Sequence, residues 1–121
     1  MLWPESQVRI WLYARPTDMR KSYDGLSALA RRALGEDPLS GQLFVFINRK
    51  RTQMKVLYFD AGGYCVWSKR LEAGQFRYRA ERGEKQSLDP SSLRWLIEGI
   101  DAGSVRRYKR YRRPTGAPSP V

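Results

Sequence analysis

Residues 43–71 read LFVFINRKRTQMKVLYFDAGGYCVWSKRL, and their reading decides the fold. Leu43–Ile47 is an unbroken apolar run, the pattern of a strand buried on both faces. Asn48–Thr52 is a polar, basic connector, and Gln53–Phe59 returns to strand character. The pair therefore reads as a hairpin with Arg49, Lys50 and Arg51 at its tip. Asp60-Ala61-Gly62-Gly63 is a second turn, and Tyr64–Leu71 a third strand. A fourth strand is expected through Phe76–Arg79, followed by a polar loop over residues 81–87.

Working outward toward the N-terminus, residues 8–14 alternate Val8, Ile10 and Leu12 with Arg9, Trp11 and Tyr13, a period-two strand stopped by Pro16. Thr17 is placed as an N-cap with Asp18 in the first turn. Met19, Tyr23, Leu26, Ala30 and Ala33 then recur at helical spacing, and Gly35 ends the helix. Gly25 inside it marks a close approach, expected against the sheet. Toward the C-terminus, Asp89-Pro90-Ser91-Ser92 is a helix start, and Leu93, Leu96, Ile97 and Ile100 share one face. Beyond residue 103 no core-forming pattern remains. The expected architecture is an α+β domain over residues 1–103. It is an antiparallel β-meander of four or five strands, with an amphipathic helix before it and a C-terminal helix after it. A disordered basic tail is expected over residues 104–121.

The chain has 121 residues, enough for one domain with one modest core. It has no His and a single Cys. That excludes His-activated nucleophiles, His-ligated zinc, thiolate clusters and disulfide frameworks. No apolar run reaches the roughly 18 residues of a membrane span, and the first residues lack the features of a signal peptide. A cytoplasmic location is expected, with no membrane partner.

The formal net charge is +11, and it is unevenly placed. Residues 49–79 carry a net +6, residues 104–121 another +6, and the remainder is near neutral. Two concentrated blocks point to a polyanion, for which nucleic acid is the commonest candidate in such a chain. The first block supplies Arg49, Lys50, Arg51, Lys55, Lys69, Arg70, Arg77 and Arg79. The second supplies Arg106, Arg107, Lys109, Arg110, Arg112 and Arg113, interleaved with Tyr108 and Tyr111. A basic β-ribbon can straddle a phosphate backbone, and a flexible Arg-rich arm adds further phosphate contacts.

Catalytic candidates are weak. Cys65 reads as a small buried hydrophobe, because no His exists to activate it. Asp60 is first a turn residue. Metal-dependent cleavage through Asp60 with Glu72 or Asp24 is the enzymatic alternative, but Asp18 and Asp24 fall on different helix faces. No catalytic residue, metal, cofactor or small-molecule substrate is expected. Trp67 is assigned to the core, and Trp95 to the edge of the last helix's apolar face, where it meets the sheet or a partner.

TDMRKSYDGL at 17–26, DPLSGQLFVFINRKRTQMKVLYFDAGGYCVWSKRLEAGQF at 37–76 and LRWLIEGID at 93–101 together resemble one family, in order and spacing. It is the small TnpB-type accessory protein of insertion-sequence 66 transposable elements. The likeness covers about residues 8–103 and leaves the tail outside. The resemblance implies a bacterial mobile-element protein that works beside a separate, larger transposase, and it assigns no catalytic residues. The RNA-guided nucleases of the same letters are much longer chains with an acidic metal triad, so their activity does not transfer. Two functions are expected from different classes: a DNA-binding accessory protein, or an adaptor that docks the transposase without touching DNA.

Overall fold

The computed structural model describes residue 4, residues 7–101 and residues 106–107, with residues 100–101 and 106–107 described by their backbone. In chain order the elements are β1 (Ile10–Tyr13), α1 (Tyr23–Arg32), β2 (Leu43–Ile47), β3 (Gln53–Asp60), β4 (Gly63–Arg70), a single 3-10 turn (Ala80–Arg82), β5 (Lys85–Leu88), α2 (Pro90–Glu98), β6 (Ile100–Asp101) and β7 (Arg106–Arg107). Five strands form one sheet in the order β4-β3-β2-β1-β5.

The sheet is mixed, which corrects the all-antiparallel expectation. β1 runs parallel to β2, with Ile10 opposite Leu43, while β2–β3, β3–β4 and β1–β5 are antiparallel. The reason lies in β2, whose five residues are all buried. A strand covered on both faces needs a layer above and a layer below, and a helix that crosses between adjacent strands leaves them parallel. α1 makes that crossing. Leu26, Ala30 and Leu34 pack on Phe44, Phe46 and Leu57 on one face. On the other, Leu93 and Leu96 of α2 pack with Ile10, Leu12, Val45, Ile47, Val56 and Phe76.

Three local expectations also change. α1 begins at Tyr23 behind Ser22, not at Thr17. The Thr17 N–H instead donates to Ile47 O at 2.9 Å, and Asp18 turns to Arg20. Phe76–Arg79 is not a strand: Phe76 is fully buried and donates its N–H to Arg51 O at 2.7 Å, which ties the segment across the end of the sheet. The fifth strand is Lys85–Leu88, which takes up the end of the expected polar loop over 81–87 and runs one residue beyond it. Its exposure alternates as an edge strand's does, but its residues, KQSL, carry almost no β signal.

Gly25 does approach something closely, but that is Lys21: a Cβ there would lie 3.1 Å from the Lys21 side chain. The β3–β4 turn and the α2 start are as expected. Ala61 and Gly62 both take positive φ, as a two-residue hairpin requires. Asp89 caps α2 by accepting from Ser92 N at 2.7 Å, with Pro90 in the first turn. Cys65 is half-buried on edge strand β4, not fully enclosed. In the proposed tail, Arg106–Arg107 pair antiparallel with Ile100–Asp101; the remainder of 104–121 lies outside the described residues, as does Trp3.

Candidate nucleic-acid interface

The β2–β3 turn is braced from inside by Asn48. Its Oδ1 accepts from the N–H groups of Thr52 and Gln53 (2.9 and 3.0 Å), and its Nδ2 donates to Thr52 Oγ1 at 3.2 Å. Arg51 N donates to Asn48 O and takes φ 58°. That left-handed residue sends the basic triplet in two directions. Arg49 and Lys50 stay exposed at the outer corner, with no acceptor for either side chain among the described residues. Arg51 folds back: its guanidinium donates to Tyr78 O at 2.8 Å and stacks over the Tyr78 ring at 3.9 Å. Gln75 Nε2 donates to Lys50 O at 2.8 Å, so the 75–78 segment straps the turn from behind.

A second loop meets this turn. Because β1 and β2 are parallel, the chain leaving β1 and the chain leaving β2 emerge at the same end of the sheet. Residues 17–22 are held there by Lys55, which donates to Met19 O and to Lys21 O, both at 2.7 Å. Between the two loops lies a groove of about 700 Å3. One wall is Thr17, Asp18, Met19 and Arg20; the other is Asn48, Arg49, Lys50, Thr52 and Gln53. Asp18 is its only carboxylate, and Arg20 grips it in a fork with contacts of 2.6 to 3.1 Å. Those bonds hold the Asp18 carboxyl down at about 2, so it stays ionised and paired rather than standing as an open acceptor.

The sequence-predicted cations thus separate by role. Arg49 and Lys50 front the groove. Lys55 builds its wall, and Arg51 anchors the turn. Arg70 shares Lys55's sheet face and pairs with Glu72 at 3.1 Å, both side chains being largely exposed. Lys69 points to the opposite face and donates to Ile97 O, near the end of α2, at 2.8 Å. Arg77 and Arg79 are exposed on the strap segment. Arg106 and Arg107 are described by backbone alone, and Lys109, Arg110, Arg112 and Arg113 lie outside the described residues.

The groove residues that counting cations did not single out include Thr17, Arg20, Asn48, Thr52 and Gln53. The signal that could have found them is the two-sided burial of Leu43–Ile47, since parallel β1 and β2 put residues 17–20 beside residues 48–53.

Asp60 sits at the β3–β4 turn, while Glu72 follows the far end of β4. The eight-residue strand β4 lies between them, so they cannot share an ion. Among the described residues no cluster of three Cys, Asp or Glu could hold a metal, and no helix is long and apolar enough to cross a membrane.

Comparison with known proteins agrees with the resemblance in the sequence. The family model for the IS66 Orf2-like protein matches residues 8–107. Two proteins of Sinorhizobium fredii (strain NBRC 101917 / NGR234) are similar along nearly their whole lengths. Uncharacterized protein y4hO is 36% identical over 101 residues, 84% of this chain and 88% of its own. Uncharacterized protein y4jC is 32% identical over 115 residues, 95% and 97% respectively. No solved structure matches the chain.

Proposed function

The chain belongs to the IS66 Orf2-like family, and from that membership we propose that it is a non-catalytic accessory protein of transposition. It binds DNA by the phosphate backbone and assists a separate transposase. The observation that carries this reading is the β2–β3 turn. Arg49 and Lys50 are exposed at a corner made rigid by Asn48, Arg51 and the 75–78 strap. With the backbone of the turn already fixed, only the two side chains have to be ordered on meeting a polyanion. Lys21 adds charge on the neighbouring loop, Arg20 and Arg70 being paired with Asp18 and Glu72, and the Arg-rich segment from 106 onward adds a second, sequence-independent set of phosphate contacts.

Affinity for duplex DNA should fall linearly on a log–log plot against salt. With Arg49 and Lys50 both changed to Ala, the slope should drop by about 1.8, roughly 0.9 for each phosphate no longer neutralised. Fluorescence anisotropy over a salt series measures it. An unchanged slope removes this turn from the interface.

One observation favours a second reading. Trp95 is 41% exposed on α2, on the other side of the sheet from α1. A large aromatic at the surface suits a protein partner, so α2 could dock the transposase while the charge serves an acidic surface. Survival of the complex after nuclease treatment supports this adaptor role; dissolution on nuclease treatment supports bridging by DNA.

A further inference from the structure

We propose that the groove at the carboxyl ends of β1 and β2 is a discrete phosphate-group site, and that it seats one phosphodiester of the nucleic-acid backbone. The nucleic-acid source rests on the function proposed above; the site rests on its own geometry.

Three observations converge. The first is position. In open α/β sheets ligands bind beyond the carboxyl ends of parallel strands, where the connecting loops part, and the one parallel pair of this mixed sheet offers the same kind of opening. β1 and β2 are the parallel pair, and the groove lies beyond their ends. It is a shallow groove of about 700 Å3, largely open to solvent, along which a phosphate with its flanking sugars can lie rather than be enclosed.

The second is charge. Arg20, Arg49 and Lys50 line the groove against the single carboxylate of Asp18, which Arg20 already neutralises. Arg49 and Lys50 have no protein acceptor among the described residues, and a guanidinium beside an ammonium is a donor set suited to phosphate oxygens.

The third is Thr17. It lines the groove, is 4% exposed, and its Oγ1 is the one buried side-chain polar atom among the described residues without a hydrogen-bond partner. Buried hydroxyls are almost always paired, so an unpaired one beside a cationic groove marks where a ligand oxygen belongs. No partner holds the Thr17 hydroxyl inside, so a turn of the side chain brings it out to a phosphate seated between the loops, while Arg49 and Lys50 close on the other side.

The test follows backbone amide shifts of the full-length protein by NMR. Inorganic phosphate is titrated at constant ionic strength, and a short DNA duplex is titrated separately. Phosphate should saturably shift the amides of residues 17–20 and 48–53, and the duplex should shift the same set. Thr17→Val keeps the shape and removes the hydroxyl. It should weaken phosphate binding about tenfold, the scale of one charge-assisted hydrogen bond. It should leave thermal stability unchanged or raised, because no unpaired hydroxyl remains buried. A residue serving structure alone would lower stability and leave the phosphate titration unmoved. The variant with Arg49→Gln and Lys50→Gln should abolish saturation.

A duplex that binds while these amides stay still overturns the groove and leaves the DNA-binding function standing. Phosphate that saturates the groove of a protein to which duplex does not bind overturns the nucleic-acid source together with that function. The groove then serves a smaller phosphate compound. Phosphate shifts that grow without saturation, and equally in the Gln variants, overturn the site itself.

Discussion

Arg51 and its two neighbours are consecutive cations, yet the structure gives them opposite consequences when removed. Arg51→Ala deletes a charge-assisted hydrogen bond to Tyr78 O, worth about 1.5–3 kcal/mol, and leaves that carbonyl without its donor. It also deletes the stack over the Tyr78 ring, worth about 0.5–2 kcal/mol at a part-buried position. The two share one side chain and do not add fully, so a loss of about 2–4 kcal/mol is expected. For a chain of this size that lowers the melting temperature by about 8–16 °C.

Backbone geometry supplies an internal control. Arg51 sits at φ 58°, which costs a side chain about 1–2 kcal/mol and glycine almost nothing. After the extra entropy of an unfolded glycine is subtracted, Arg51→Gly should fall short of the alanine loss by about 0.5–1 kcal/mol. Arg49→Ala at the exposed corner should stay within about 0.5 kcal/mol of the parent. Urea unfolding measures all three, read from midpoints at constant slope. The DNA salt slope, taken at a temperature where each variant is folded, should be lowered by Arg49→Ala and unmoved by Arg51→Ala. Two results would refute the reasoning: Arg51→Ala as stable as the parent, or Arg51→Ala lowering the salt slope as far as Arg49→Ala does.

Other outcomes follow from the same geometry. The N–H groups at the start of α2 hold the Asp89 carboxyl below its ordinary value. Its folded pKa is therefore the lower one, and its stabilisation is present above the unfolded pKa of about 3.9 and lost as pH falls through the folded one. Asp89→Ala should cost about 0.5–2 kcal/mol near neutral pH, and urea midpoints should show the gap to the parent closing under strong acid. Lys55→Met leaves Met19 O and Lys21 O without their donor. Hydrogen exchange should quicken by about tenfold or more in residues 17–22, with β4 unchanged. Ala61 takes φ 49° in the β3–β4 turn, so Ala61→Asn should stabilise the protein by about 0.5–1 kcal/mol, read as a higher melting temperature.

Much of this architecture was legible in the chain. The Leu43–Ile47 run, the hairpins and the Asp89-Pro90 start of α2 follow from patterns that neighbours in sequence create. What escaped depends on partners far away. β5 is a strand because Lys85–Leu88 pairs with β1, and nothing within KQSL signals it. Thr17 resembles an N-cap, but its N–H goes to Ile47 O, and Lys55 holds residues 19 and 21 out of the helix. The antiparallel expectation failed because it was built from local hairpins, while the two-sided burial of β2 already required a helix on each face. At the candidate site, counting cations found Arg49 and Lys50. It did not distinguish them from Arg51, Lys55 and Lys69, whose charges are bound to backbone carbonyls.

The place of β1 in the sheet sets an order of events for the newborn chain. β2, β3 and β4 pair with their nearest neighbours and can assemble as soon as they emerge, whereas β1, paired with β2 on one edge, must wait on its other edge for β5, whose register joins Leu88 to Ile10. Until residue 88 has left the ribosome, one side of β1 has nothing to pair with, and closing that long loop is the slow, entropically costly step. A truncated product that stops before β5 would leave the hydrogen-bonding edge of β1 bare, a template for joining strands from other molecules.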